Sequence, residues 1–269
     1  MNLLNPVFWN GELIEYTDYC QTVKREQQSA LEHLGHTPVD WIVPESLKAK
    51  VFQDGTLKPF FGDTIVSTLT LEKTQKIKTI QDSLSQQNGI FATKLDYRQF
   101  HLTIHDLNNG NQQEEIEEKM TRSRVACRQI FTQLADYFRQ YPEQAIIELK
   151  GTNVFPCLNI SLLLGLIPAN EQDFRILLNV HNLFNEVVSL DYWLRPHITL
   201  AYFRPIKLSQ PEIKNLSYLL AKLNPLHFQI QLDLKQLAYQ IFEDMNHYQD
   251  EYLVQHFMES ALPPDNLIA

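Results

Sequence analysis

The sequence predicts a fold of mixed helices and strands that contains a duplicated strand–helix–strand unit. Strand-like and helix-like segments alternate from residue 64 onward. Two His-x-Thr triplets, HLT at 101–103 and HIT at 197–199, begin 96 residues apart in similar apolar, β-branched surroundings. The same shift carries the strand that begins near residue 64, and the helix after it, onto similar segments of the second half.

Composition and charge limit the class of protein. The 269 residues are 44% hydrophobic and 20% charged, which is enough apolar material for one large domain or for two lobes that share an interface. The net charge of −9 argues against binding of long duplex nucleic acid, because an acidic surface repels a polyanion. A small anionic ligand in a local pocket is compatible with this charge.

The cysteines and the apolar runs predict a cytoplasmic protein without membrane association. Cys20, Cys127 and Cys157 are scattered and form no CxxC pair, which favours reduced thiols. The N-terminus has no basic segment followed by a long apolar run, as a signal peptide would. The longest apolar run, LLLGLI at 162–167, is too short to cross a bilayer.

The first 62 residues are predicted to be an N-terminal extension that contains a helix. Residues 23–35 have helix-forming composition and end at Gly35, a residue typical of helix C-termini. Residues 54–64 carry Gly, Pro and Asp, which favours a loop.

The segments of the first unit follow from their apolar patterns. The sequence predicts a strand over 64–71 and a helix over 72–89, in which Ile77, Ile80 and Leu84 lie at helical spacing. The next segments, in chain order, are strands over 90–95 and 100–107, a long amphipathic helix over 112–141 and a strand over 145–151.

The second half repeats the order of elements. It is predicted to contain strands over 158–166, 195–203, 226–234 and 237–242, and helices over 168–188 and 209–224. The last two strands are close enough along the chain to be candidates for a paired hairpin.

The two triplets combine the residue types needed for acid–base chemistry on a phosphate. Period-two alternation places the His and Thr of each triplet on one face, with Leu102 or Ile198 on the other. Two such strands arranged symmetrically would bring two imidazoles and two hydroxyls into one cleft. An imidazole titrates near neutral pH, so one can take a proton while the other gives one, and hydroxyls can bind phosphate oxygens.

His105 offers a competing interpretation. On a helix, His101 and His105 would share a face and could bind zinc, and a metal hydrolase would add an acidic residue. The β-branched surroundings favour a strand, and the position equivalent to His105 in the second half is Ala201. We therefore expect His105 to lie at the cleft edge or to cap a strand end. FEDMNH at 242–247 mixes acidic residues with a histidine, but no metal site is predicted there.

Three further residues are candidates for contact with a substrate. Phe60 and Phe61, in the loop before the first strand, could form a pocket wall. Arg195, two residues before His197, has the parity to face the groove, where it would pair with a phosphate; the alternative is an exposed structural arginine.

The motif pair resembles a known superfamily. HLTI at 101–104 and HITL at 197–200 resemble the duplicated signatures of the 2H phosphoesterases, the LigT-like cyclic phosphodiesterases. The resemblance spans about residues 55–245, and the flanks at 54–64 and 237–248 resemble a poorly characterised bacterial branch of that superfamily. The first 50 residues match no known segment.

This resemblance implies an α+β fold with two lobes related by a pseudo-twofold axis. Two antiparallel sheets would line a central groove, with helices outside. The expected boundaries are 1–62 for the extension and 63–269 for the phosphoesterase-like domain, with one lobe over about 63–151 and the other over about 152–269.

The resemblance also implies an activity. It is metal-independent hydrolysis of a cyclic phosphate or a 2′-5′ phosphodiester on a nucleotide or RNA end, with no cofactor. His101 and His197 would be the acid–base pair, and Thr103 and Thr199 would hold the phosphate. The alternative is a non-catalytic nucleotide-binding module that uses the same groove.

Overall fold

The computed structural model describes residues 1–35, 41–84 and 89–260. The strands are β1 (Val7–Trp9), β2 (Glu12–Ile14), β3 (Phe61–Thr68), β4 (His101–Gly110), β5 (Ile146–Cys157), β6 (Ser161–Pro168), β7 (His197–Tyr202), β8 (Gln229–Asp233), β9 (Leu237–Asp244) and β10 (His247–Leu253). The helices are α1 (Tyr16–Gly35), α2 (Glu45–Lys48), α3 (Leu71–Leu84), α4 (Gln113–Gln140), α5 (Glu171–Asn185), α6 (Gln210–Leu223) and α7 (Val254–Ser260).

Two four-stranded antiparallel sheets form the framework. Their strand orders are β10-β9-β3-β4 and β7-β6-β5-β8, and β1 and β2 form a separate hairpin. The histidine-bearing strands β4 and β7 are edge strands that contact each other, so the two sheets meet at these edges. The helices pack outside, with α4 on β3 and β4, and α5 on strands of both sheets. The predicted α+β class, with two antiparallel sheets around a groove, is confirmed.

The duplicated unit is visible in the strand pairing. Thr68 of β3 pairs with His101, and Gly165 of β6 pairs with His197. Each unit therefore consists of a central strand, a helix and an edge strand that returns beside the first. The other strands do not follow chain order, because β9 and β10 complete the sheet of β3 and β4. The division of the chain near residues 62 and 151 stays a prediction.

Two of the expected strand features are wrong. Residues 90–95 form no strand and contribute only one isolated bridge, from Phe91 to Phe203. The segments predicted as a hairpin after residue 226 lie in different sheets, since β8 pairs with β5 and β9 pairs with β3. A 3-10 turn over Leu234–Gln236, capped by the Asp233 side chain, carries the chain from one sheet to the other.

Other element boundaries differ from the predicted ones for local reasons. The strand expected from residue 158 begins at Ser161, because Leu158 and Asn159 adopt positive φ angles in the hairpin turn after β5. Strand β10 was not predicted, since HYQDEYL lacks an alternating apolar pattern and lies at a sheet edge. Residues 85–88 of the helix predicted over 72–89 lie outside the described residues.

Helix α1 attaches the N-terminal segment to the second sheet. It begins at Tyr16, earlier than predicted, and buries Tyr19, Val23 and Gln27 at intervals of four residues. It packs against β5, β6 and α6. The approach is close, because a Cβ at Gly165 would collide with the Gln27 amide. The N-terminal segment is thus part of one continuous hydrophobic core.

No helix within the described parts of the chain combines the length and the apolar character needed to span a membrane.

Candidate active-site groove

The two His-x-Thr triplets line one groove between the sheets. His101 and Thr103 on β4, and His197 and Thr199 on β7, border a cavity of about 260 Å³. All four side chains are partly exposed, whereas Leu102 and Ile198 between them are buried in the core. The convergence predicted from period-two alternation is therefore present in the structure.

Both imidazoles are held in the same way. Nδ1 of His101 lies 2.8 Å from the carbonyl oxygen of Gln99, and Nδ1 of His197 lies 2.8 Å from that of Arg195. A carbonyl only accepts hydrogen bonds, so Nδ1 carries the proton in each ring. Nε2 of each ring is then the nitrogen available for proton transfer, and it accepts or donates according to its protonation state.

The groove disfavours charge on these imidazoles. Burial by the surrounding protein atoms lowers the pKa of both His101 and His197, although one edge of each ring reaches the groove. The neighbouring His197 lowers the pKa of His101 further. Asp106 acts in the opposite direction and raises the pKa of both rings.

A β-bulge in β4 reverses the alternation after Ile104. Ile65 pairs with His105 while the next residue, Val66, pairs with Thr103, so β4 has one extra residue at this point. The bulge turns His105 inward, with 1% of its surface exposed, and turns Asp106 outward to the groove. His105 is thus neither at the cleft edge nor at the strand end, and this expectation was wrong.

His105 packs instead against a second buried histidine, His181 of α5. Their ring centroids are 4.9 Å apart. Burial lowers the pKa of His105, and it lowers the pKa of His181 to about 4. Nδ1 of His181 donates to the carbonyl of Ile104 at 2.8 Å, so both rings are neutral parts of the packing beside the bulge.

Of the two predicted wall phenylalanines, the structure brings only one to the groove. Phe60 lines it, whereas Phe61, with Met120, lines an adjoining pocket that shares Phe242 and Tyr248 with the groove. Lys50 also lines the groove, with Nζ 5.0 Å from the Phe60 ring centroid and 5.6 Å from that of Tyr202. No carboxylate or other acceptor among the described residues pairs with this ammonium.

Arg195 pairs with a protein carboxylate and has a structural role, which was the alternative to binding a phosphate. Its Nε and Nη2 donate to the two carboxylate oxygens of Glu26 in α1, at 2.5 and 2.8 Å. It does not line the groove between the histidines. Its backbone carbonyl, however, orients His197, and the neighbouring Leu194 carbonyl accepts a hydrogen bond from buried Tyr19 at 2.7 Å. Helix α1 therefore fixes the segment that holds His197.

Sequence reasoning missed Lys50, Asp106 and Tyr248. The Tyr248 ring stands edge-on to His101, with centroids 4.7 Å apart. Tyr248 lies on the polar edge strand β10, and Lys50 belongs to a segment that resembles nothing known. Tyr248 ends the flank at 237–248, whose resemblance to the superfamily assigns it no role, and the alternation rule places Asp106 on the wrong face.

Two groups of residues were considered as metal ligands, His101 with His105 and the segment 242–247. Within residues 1–35, 41–84 and 89–260, no group of three or more His, Cys, Asp or Glu side chains could hold a metal ion. His101 and His105 lie on opposite faces of β4. In the 242–247 segment, Nδ1 of His247 is hydrogen-bonded to Asp244 at 2.7 Å.

Comparison with known structures identifies relatives of the fold. A conserved protein of unknown function from Agrobacterium tumefaciens matches with a TM-score of 0.60 and 16% identity, covering 83% of this chain and 98% of that chain. The two proteins share a fold. LigT from E. coli in its apo form is also similar, with a TM-score of 0.42 and 12% identity over 72% of this chain and 95% of that chain.

A third similar structure is that of TT0787 of Thermus thermophilus. Its TM-score is 0.37 and its identity 16%, over 71% of this chain and 94% of that chain. No protein-family model and no curated protein matches the sequence. The comparisons therefore establish a shared fold, through the match to the Agrobacterium tumefaciens protein.

Proposed function

We propose that the protein is a metal-independent phosphodiesterase that uses His101 and His197 as an acid–base pair. The observation that carries this proposal is the near-twofold arrangement of the two rings. Each ring has Nδ1 engaged by a carbonyl and Nε2 free at the groove, with a threonine hydroxyl two residues away on the same face. The substrate is a cyclic phosphate or a 2′-5′ phosphodiester on a nucleotide or RNA end.

The reaction follows from the protonation states of the pair. The neutral imidazole takes a proton from water, and the water oxygen forms a bond to phosphorus in line with the leaving oxygen. The bond from phosphorus to the leaving oxygen breaks, and the protonated imidazole gives its proton to that oxygen. The near-symmetric groove permits either histidine in either role, according to the orientation of the substrate.

The groove also contains groups that suit a phosphate. The hydroxyls of Thr103 and Thr199 have no hydrogen bond to any other described residue, so they are available to the non-bridging oxygens. The Lys50 ammonium, which lines the groove, adds a positive charge that offsets the negative charge of the ester. We propose a cytoplasmic location, in keeping with three free thiols, and a small nucleotide or RNA-end partner rather than a long duplex.

A turnover screen in EDTA tests the proposal. The substrates are 2′,3′-cyclic nucleotides, ADP-ribose cyclic phosphate, 3′,5′-cyclic nucleotides and 2′-5′ oligoadenylates. We expect turnover by the wild type and a loss of about 100-fold or more in kcat for His101→Ala and for His197→Ala. The matched control is His227→Ala, which removes an exposed histidine outside the groove and should leave turnover unchanged.

The binding of the same compounds separates the two function classes. Retained binding without turnover in the two groove variants supports the enzyme. Binding by the wild type without turnover of any compound would favour the nucleotide-binding module. Turnover that EDTA abolishes would contradict the metal-independent mechanism.

A further inference from the structure

A second cavity adjoins the groove on the side of α1. It has a volume of about 680 Å³, larger than the groove itself, and α1 forms one of its walls. Residues that line both spaces are Thr103, Asp106, Cys157, Ile160, Leu163 and His197. No more than one layer of side chains therefore separates this space, which we term the α1 cavity, from the candidate catalytic histidines.

The wall of the α1 cavity is mostly hydrocarbon. Its apolar lining residues include Val23, Ala30, Phe155, Leu158, Leu190 and Leu194. Two lining histidines, His105 and His181, are buried and held neutral.

The charged side chains on the wall of the α1 cavity are engaged with protein partners. Glu26 pairs with Arg195, and Asp106 accepts a hydrogen bond from Tyr192 at 2.8 Å. The space therefore favours an uncharged, apolar occupant.

The rim of the cavity has an unusual leucine. Leu158 lies in the β5–β6 turn with φ of +48°, a left-handed conformation that is uncommon for a bulky residue. Its side chain is 79% exposed although it borders the cavity. This turn holds the apolar side chain at the entrance in a strained conformation. Contact with apolar surface of a ligand would remove the side chain from water, which is favourable.

We propose that the α1 cavity receives the hydrocarbon arm of a phosphodiester whose phosphate lies between His101 and His197. This assignment extends the proposed activity to phosphodiesters of apolar alcohols, and it rests on the proposed function. The hydrophobic effect provides affinity in the α1 cavity, and the hydroxyls and Lys50 hold the anionic head in the groove. The N-terminal helix then selects the substrate, because it supplies a wall of the cavity.

Alkylphosphonic acids of two to eight carbons test this inference, because their P–C bond is not hydrolysed. Binding is measured by calorimetry below the micelle concentration of each probe. We expect the affinity of the wild type to rise about fourfold for each buried methylene. Ala30→Trp, which fills the cavity from α1, should bind ethylphosphonate normally and lose this rise.

Two further variants complete the design. Ser29→Trp places the same ring on the exposed face of α1 and should behave as the wild type. Leu190→Trp fills the cavity from the loop after α5, so the test does not depend on the folding of one variant. Both cavity-filling variants should lower the affinity for octylphosphonate at least tenfold.

Three results would overturn the assignment. They are an affinity of the wild type that does not depend on chain length, a rise that persists in both cavity-filling variants, and an equal loss in Ser29→Trp. A nucleoside monophosphate that binds more tightly than octylphosphonate, and weakens in Ala30→Trp, would place a nucleobase in the cavity instead.

Turnover of methyl octyl phosphate, a phosphodiester with one long alkyl arm, separates this inference from the proposed function. Chain-length-dependent binding without hydrolysis would support the α1 cavity as a binding site and contradict the catalytic proposal. Hydrolysis of short diesters without chain-length dependence would support catalysis and contradict the assignment of the cavity.

Discussion

At the scale of single residues, the environment of each imidazole determines what the groove can do. Each ring is oriented by a carbonyl two residues earlier in the chain, so its tautomer is fixed by backbone geometry rather than by a second side chain. Burial lowers the pKa of both His101 and His197, which keeps the pair neutral more readily than free imidazole. Asp106 opposes this effect in both rings, and Asp250 acts in the same direction on His101.

The profile of kcat/KM against pH should therefore be bell-shaped with a maximum below pH 6.5, the ordinary pKa of histidine. The active form has one neutral and one protonated ring, and it is most populated between two pKa values that burial has lowered. Removal of the negative charge in Asp106→Asn lowers both pKa values further. We expect both limbs of the kcat/KM profile to move to more acidic pH in this variant.

Two controls separate the charge of Asp106 from its hydrogen bond. Tyr192→Phe removes the donor to Asp106 but keeps the carboxylate, so the kcat/KM profile of this variant should stay close to that of the wild type. Asp191→Asn removes an exposed neighbouring charge and should also have little effect. A bell for Asp106→Asn at the wild-type position, or displaced to alkaline pH, would contradict this electrostatic role.

At the scale of elements, helix α1 and the bulge in β4 give the groove features that the duplicated unit does not supply. The duplication supplies two equivalent edge strands, and the bulge makes them different by turning Asp106 into the groove. Helix α1 holds the segment before β7 through Tyr19 and Glu26. The N-terminal segment is therefore a structural part of the groove rather than an appendage.

Tyr19→Phe tests the role of α1. The change leaves the buried Leu194 carbonyl without its donor, which should lower the free energy of unfolding by about 1–3 kcal/mol. It should also lower kcat, because the segment that orients His197 is less well held. Tyr16→Phe, on the same helix, removes a comparable hydrogen bond to the Pro168 carbonyl at 3.0 Å.

Urea unfolding and steady-state kinetics measure the two effects. Tyr16→Phe should cost stability without changing kcat, since its partner lies away from the groove. Equal kinetic losses in both variants would show that α1 acts through general stability alone.

At the scale of the whole molecule, the two sheets are joined by packing between them as well as by the chain. Helix α5 lies on strands of both sheets, and His181 of α5 donates to the Ile104 carbonyl of β4. Its Nε2 is buried and has no hydrogen-bond partner among the described residues. A neutral imidazole at this junction makes the stability of the fold sensitive to acid.

The pKa of His181, lowered to about 4 in the folded protein, gives the direction of this dependence. The unfolded chain binds a proton below about pH 6.5, while the folded protein keeps the ring neutral down to about pH 4. Stability is therefore lost as the pH falls through this window, and His181 accounts for about 3 kcal/mol of the loss.

His181→Phe should reduce the slope of the unfolding free energy between pH 6.5 and 4, as measured by urea unfolding at several pH values, and leave the part that the lowered pKa values of His101, His105 and His197 contribute. His33→Gln changes an exposed histidine and should leave the slope unchanged. The same slope in His181→Phe and in the wild type would exclude this histidine as the acid-sensitive group.

The sequence alone determined those features that depend on local pattern. Alternation placed His101, Thr103, His197 and Thr199 on one face of two strands, and the repeated order of elements made the two strands equivalent. Apolar spacing also located the long helices, because the face that a helix buries is encoded within a few turns. These features need no knowledge of what the rest of the chain contacts.

Only the tertiary structure decided the remaining features. The bulge that buries His105 and exposes Asp106 depends on the register with β3, which no pattern within β4 encodes. Lys50 and Tyr248 reach the groove from remote parts of the chain, and Glu26 engages Arg195 across 169 residues. Contacts of this kind arise from the way the sheets and α1 pack together, and a single sequence holds no local signal for them.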